Sequence, residues 1–250
     1  MKAAKGGRAG VRAATLSVVV VTAALALTGC ETTAEKSTAL ERTAHHAHLA
    51  ERGLSITKQS AGVHVLGAVL VHGAEGTAVV VTLRNDTAHA YKDVPIAITV
   101  KDAHGGTIFQ NNAPGLETAL TSLGSMPAHG EATWVDDQVP AAGGPASVSA
   151  IAGEPPVASG PVPRIEVADV HRSEESGTAT AAGTVRNRSN VAQQSLVVYV
   201  LARHAGRIVA AGRAILPEVA PSATVPFQAF LVGAPHGAPL QAGAPATTFG

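Results

Sequence analysis

The chain has 250 residues, 18 basic and 18 acidic, for a formal charge of zero. No basic block stands out to track a phosphate backbone, which argues against a nucleic-acid partner. Cys30 is the only cysteine, so no internal disulfide can form, and with 3% aromatics any core must be filled by Val, Ile, Leu and Ala.

The N-terminus carries Lys2, Lys5, Arg8 and Arg12, followed by seventeen uncharged residues (13–29) that include Leu16, Val18, Val19, Val20, Val21, Leu25 and Leu27. This is the layout of an export signal. It closes on Leu27-Thr28-Gly29-Cys30, which resembles the lipobox of bacterial lipoproteins. The resemblance implies cleavage before Cys30, a diacylglyceryl group on its sulfur, and an anchor on the extracytoplasmic face of the cell membrane. Each buried methylene contributes roughly 0.8 kcal/mol, so two acyl chains hold where one is marginal. The competing reading, an uncleaved membrane helix, sits at the short end of spanning length and leaves the Gly-Cys ending unexplained. Without residues 1–29 there remain 14 basic and 18 acidic residues, a charge of −4.

Residues 30–53 read as a polar, Ala-rich tether, in which Leu40, Ala44, Ala47 and Leu54 allow a short helix ending near Gly53. If flexible, residues 30–54 span about 27 Å and hold the folded part just outside the headgroups. His45-His46-Ala47-His48 lies within it. Neutral imidazoles so placed could ligate zinc or copper; a solvated His-rich linker is the blander reading.

Beyond the tether the hydrophobic period becomes two. Residues 63–71, 77–84, 94–101, 107–110, 131–139 and 147–152 read as strands of a first β-sandwich domain over residues 54–153. Val94, Ile96, Ile98 and Val100 alternate with Pro95, Ala97, Thr99 and Lys101, so one face of that strand is buried. Residues 154–163 form a Pro-rich linker, extended and stiff. A second domain over residues 164–232 repeats the pattern at 164–167, 178–186, 195–203, 207–215 and 223–232. Residues 233–250 carry three Gly-Ala-Pro triplets and are expected to be disordered.

The two blocks are copies. Leu83-Arg84-Asn85 matches Val185-Arg186-Asn187 at a shift of 102, and Val94, Ile96 and Ile98 fall on Leu196, Val198 and Val200. His104-x-Gly106-x-Ile108 falls on His204-x-Gly206-x-Ile208 at 100, and Leu123, Met126 and Trp134 fall on Leu216, Val219 and Phe227 at 93. The shrinking shift places a longer loop in the first copy, between Phe109 and Met126. In the second copy Gly183-Thr184-Val185-Arg186-Asn187, Val198-Tyr199-Val200, Gly206-Arg207-Ile208-Val209 and residues 220–227 resemble the small bacterial Ig-like modules called FxLYD-like. It departs from them at Ala202-Arg203, where the family tends to carry an aromatic and an aspartate. The resemblance implies an all-β chain of two tandem Ig-like sandwiches in an envelope protein, with no active site to carry over.

Chemistry-bearing candidates are few. Asn85-Asp86-Thr87 and Asn187-Arg188-Ser189 match a glycosylation sequon, but asparagine also closes turns by bonding its own main chain. Asp136-Asp137 and Glu174-Glu175 are adjacent carboxylates, which on a strand point to opposite faces. His104 and His204 occupy matching turns, as duplication requires. Trp134 and Phe227 sit in alternating strands as core fillers. Tyr91 and Phe109, near the long loop, are the aromatic candidates for a binding surface. No G-x-S-x-G, H-E-x-x-H, phosphate loop or paired-cysteine motif occurs. The sequence therefore points to a lipid-anchored, non-catalytic envelope protein that needs no cofactor and binds another envelope protein through strand edges or the long loop. The alternative is a metal-binding lipoprotein using His45, His46 and His48.

Overall fold

The computed structural model describes residues 52–74, 76–140, 142–175 and 178–250. The chain is all-β. In the first half the strands are β1 (Val63–Gly73), β2 (Gly76–Asn85), β3 (Tyr91–Lys101), β4 (Thr107–Gln110), β5 (Ser122–Met126), β6 (Glu131–Val139) and β7 (Ser147–Ala152), with one 3-10 turn at Thr118–Leu120. In the second they are β8 (Ile165–Glu175), β9 (Thr178–Asn187), β10 (Gln193–His204), β11 (Arg207–Val219), β12 (Thr224–Phe230), β13 (Val232–Gly233) and β14 (Leu240–Gly243). All pairings are antiparallel. One sheet of each half runs β1-β2-β6 or β12-β9-β8. The other centres on β3, flanked by β4 and β5 on one edge and β7 on the opposite edge, or on β10, flanked by β11 and β14.

The pairing register repeats with the sequence. Val63 lies opposite Asn85 as Ile165 lies opposite Asn187, and Glu131 opposite Arg84 as Thr224 opposite Arg186. Both first strands are bulged near their middle, between Val65 and Gly67 and, slightly further along, between Ala168 and His171.

The four sheets stack in series. Alternation explains why: β2 and β10 are buried on both faces. Val79, Val81 and Leu83 of β2 share a core with Ile96, Ile98, Leu123 and Trp134, while Leu196, Val198 and Val200 of β10 share one with Val185 and Phe227. The opposite faces then meet each other. Val80 of β2 and Val135 of β6 lie in one cluster with Val197, Tyr199 and Leu201 of β10, Ala211 of β11 and Val232 of β13. The halves are thus one packed body, closed along a seam between β1-β2-β6 and β13-β11-β10-β14.

Three expectations need correcting. Residues 233–250 are not loose: β14 pairs with β10, placing Ala242 opposite Val200 as Ala150 of β7 lies opposite Ile98. Beyond it Ala246 and Phe249 are buried, and Gln193 clamps the end, its Oε1 accepting from the Thr247 and Thr248 amides and its Nε2 donating to the Thr248 carbonyl. The Gly-Ala-Pro triplets hid a strand because small residues suffice at an edge whose neighbour, β10, supplies the apolar bulk. The linker at 154–163 is not free either. Its Pro156 carbonyl accepts from the Lys92 amide, its Ala158 amide donates to the Ala90 carbonyl, and Val157 bridges Tyr91. The long loop is shorter than the sequence implies, since β5 forms within it. Asn111, fully buried, donates to the Ile96 and Leu120 carbonyls and accepts from the Ile98 amide, holding the chain against β3 between β4 and β5.

Candidate functional site: a sealed seam and an open strand edge

The seam holds a compact charged cluster. Asp136 and Asp137 lie on β6 where it bulges against β2, so their side chains diverge as adjacent strand residues must: Asp136 inward, Asp137 toward the second half. Arg213, on β11, meets Asp137 there. Its Nε donates to Asp137 Oδ1 at 2.8 Å, its main-chain amide to Oδ2 at 3.3 Å, and its Nη2 reaches Glu117 Oε2 at 3.4 Å. The Arg213 side chain is only 4% exposed. Burial alone would lower its pKa, but Asp137, with Glu117 behind it, outweighs that and raises it. Tyr199, directly opposite Arg213 across β10 and β11, is also buried, and burial pushes its phenol up.

Asp136 is different in kind. Its Oδ1 accepts from the Gln138 amide at 2.9 Å, while its buried Oδ2 has no hydrogen-bond partner. Burial pushes its carboxyl up to about 6; the Asp137 charge adds to this, and the Gln138 amide and Arg213 oppose it. This pair of carboxylates was visible in the sequence, but its seam partner Arg213 was not. The signal was there to find. At outward positions Val80 and Val135 of the first copy become Ala182 and Gln228 in the second, whereas Pro95, Ala97 and Thr99 become Val197, Tyr199 and Leu201. Apolar residues replace polar or small ones only on faces that are covered.

Chemically the cluster is a staple. Where the seam opens, a groove of about 610 Å³ runs past Thr133, Tyr199, Leu201 and Gln241. Its lining includes Glu131, Arg164 and Arg203 but neither histidine nor cysteine. Among the described residues no group of three or more His, Cys, Asp or Glu is placed to hold a metal ion, and no helix is long and apolar enough to cross a membrane.

The sequon asparagines are structural in both copies. Asn85 is fully buried; its Nδ2 donates to the His89 and Pro127 carbonyls and its Oδ1 accepts from the Thr87 amide and hydroxyl. Asn187 repeats this with Val191, Val219, Ala220 and Ser189. The Thr or Ser two residues on serves the asparagine's carbonyl, and neither amide is available for a glycan. Trp134 and Phe227 are core residues as expected, the indole donating to the Ala119 carbonyl at 2.9 Å.

Tyr91 and Phe109 are not brought together. Phe109 lies opposite Val100, nine residues along β3 from Tyr91, a separation of about 30 Å. Both are half-buried against the first core, and the Tyr91 hydroxyl is engaged by Thr87. Cys30, His45, His46 and His48 lie outside the described residues, as do residues 1–29 and nearly all of the tether.

No family model and no curated protein matches the chain. The surface itself therefore has to indicate where contact is made, and one strand edge stands apart. β1 and β8 are the same strand of the repeat and both lie at a sheet edge. β8 reads IEVADVHRSEE, and its Glu166 binds Arg188 and Arg164 at 2.6 and 2.7 Å, which lowers the Glu166 pKa, the Arg188 hydrogen bond most of all. Charges of this kind guard an edge against strand addition. β1 reads VHVLGAVLVHG, with no Asp, Glu, Lys, Arg or Pro. Its far edge makes no backbone hydrogen bond among the described residues, and Leu66 and Val69 are 45% and 42% exposed.

Proposed function

We propose that this chain is a lipid-anchored protein of a bacterial cell envelope. It is held to the membrane through Cys30 and presents its packed sandwiches as a non-catalytic module for protein binding or envelope assembly. The anchor rests on the lipobox resemblance of residues 27–30, and the reading of the second sandwich as FxLYD-like rests on the motifs of residues 183–227. The binding role is carried by one observation, the long, unpaired edge of β1, free of Asp, Glu, Lys and Arg, beside its charge-guarded counterpart β8. An edge of this sort accepts an extended segment through main-chain hydrogen bonds, with alternate side chains setting selectivity. The rigid seam supports the role by holding that edge in a fixed orientation.

Two measurements test this. Cys30→Ala is expected to move the protein from the membrane to the soluble fraction and to remove the lipid from its intact mass; retention in the membrane refutes the anchor. A photoactivatable residue placed at Leu66 in living cells is expected to yield an adduct of discrete mass, whereas the same residue at Arg186, exposed on the outer face of β9, yields none. Equal labelling at both positions, or none at Leu66, refutes the edge as the contact.

A further inference from the structure

We propose that residues 53–60, where the tether meets β1, form a releasable strap: laid down, they cover the outer face of β3 and β7; lifted, they uncover that face and lengthen the tether. The use of the added length rests on the reading of residues 30–53 as a tether to Cys30; the lifting itself does not. The observation that carries the proposal is that the molecule holds this segment in both placements. The register of the repeat makes residues 155–162 the counterpart of 53–60, since the Gly62 carbonyl accepts from the Asp86 amide as the Arg164 carbonyl accepts from the Arg188 amide. In the first copy the segment lies on its own sandwich, where Gln59 bridges Gly153 and the Ser60 amide donates to the Ala152 carbonyl at 2.9 Å. In the second copy it lies on the other half, with Pro156 and Ala158 bonded to Lys92 and Ala90. The face it would have covered there, Val197, Tyr199 and Leu201 of β10, is packed in the seam instead.

The strap's own contacts are light and come one after another along the chain. No strand pairing reaches residues 53–58 among the described residues. At the far end Gly53, at φ +72°, is pressed so close to the loop after β4 that a side-chain carbon would strike the Asn112 carbonyl. In the middle Ile56 sits over Gly153, where a side-chain carbon would lie 3.2 Å from both Ile56 Cγ1 and Pro95 Cβ. A cleft of about 290 Å³ remains beneath Leu54 and Ile56, floored by Ala97, Thr99 and Ile151. At the near end Lys58 pairs with Glu154 at 2.6 Å, both side chains exposed, and such pairs add little. The Ser60 hydroxyl accepts from the Gly62 and Val63 amides, which fixes where the strap stops and the ladder of β1 on β2 starts. A segment held in this way opens locally at far lower cost than the strands behind it. Lifting it adds up to about 26 Å of reach at full extension. It also lays bare Pro95, Ala97 and Ile151, the last two opposite one another on β3 and β7.

The test uses the purified full chain with two readouts, neither of which depends on the lipid. In hydrogen exchange the Ser60 amide is expected to exchange at least a hundredfold faster than the Val81 amide of β2. Ile56→Ser is expected to speed Ser60 at least tenfold more while leaving Val81 unchanged. In an Ala97→Cys background, Ile56→Ser is expected to raise the rate of maleimide labelling at position 97 at least tenfold, read by peptide mass so that Cys30 is scored apart. Equal protection of Ser60 and Val81, or loss of both together in Ile56→Ser, shows the segment to be an integral part of the sandwich and overturns the strap. An unchanged Ser60 rate in Ile56→Ser, or unchanged labelling at position 97, overturns it as well. If the strap lifts as expected while Cys30→Ala stays in the membrane, the anchor fails and the strap stands.

Discussion

Replacing Asp136 by Asn tests most directly what it costs to bury a carboxyl beneath the seam, in the first core. The carboxyl rises from 3.8 to about 6 because it is buried with one oxygen unpartnered. At 1.36 kcal/mol per pKa unit, ionising it in the folded state costs about 3 kcal/mol. The sign follows from linkage. Between about pH 4 and 6 the folded state holds a proton that the unfolded state has released, so this group's contribution to stability falls as pH rises through that window. Below pH 4 both states are protonated, and above pH 6 the full cost applies. Asparagine keeps the acceptor for the Gln138 amide and removes the charge. Asp136→Asn should therefore stabilise the protein by up to about 3 kcal/mol at pH 7.5, or about 1 M in the urea midpoint, and by almost nothing at pH 4. Urea unfolding of both proteins at the two pH values is the assay. A loss of stability at pH 7.5, or a gain of the same size at both, would show that burial is not what perturbs this carboxyl.

Other features yield sharper single outcomes. Arg213→Met should cost about 3 kcal/mol by stranding Asp137 in the seam, and the double variant with Asp137→Leu should cost less than the two single changes together; denaturation of the four proteins gives the coupling. Asn187→Ala removes its bonds to the Val191, Val219 and Ala220 carbonyls and to the Ser189 amide and hydroxyl, and should cost about 3 kcal/mol. The unaltered protein should carry no sugar at that position by mass spectrometry. Phe249→Ala, in the segment that composition marks as disordered, should cost about 3 kcal/mol in thermal unfolding because the ring is 6% exposed; an unchanged midpoint would mean that the end of the chain does not pack.

Most strands were legible because their hydrophobic residues recur every second position, and the duplicated Asn85 and Asn187 turns aligned the copies. What escaped was whatever depends on a distant neighbour. β14 carries only a four-residue alternation, Leu240 and Ala242 inward and Gln241 and Gly243 outward, because it need only complete an edge already rich in valine and leucine. β5 hid in a loop because its hold on β3 comes partly through one buried side chain, Asn111. Arg213 reads as an ordinary surface cation until the second half is laid on the first. Comparison of outward-facing residues between copies carries that information, and the substitution of Pro95, Ala97 and Thr99 by Val197, Tyr199 and Leu201 is its clearest trace. Tyr91 and Phe109 attracted notice because aromatics are scarce here, yet scarcity also makes an aromatic more valuable inside.

The seam joins unlike surfaces: the β1-β2-β6 face of one copy meets the β10-β11 face of the next. A head-to-tail joint of that kind has no built-in end point and propagates into filaments wherever both free ends still match. The two free ends do not match in that way: the corresponding outward faces carry Ala182 and Gln228 at one end and Pro95, Ala97 and Thr99 at the other, small or polar where the seam has valine, tyrosine and leucine. Valine at positions 182 and 228 would give one terminus the apolar pattern of Val80 and Val135, so the small and polar side chains at the extremities are what oppose a third unit stacking on the second.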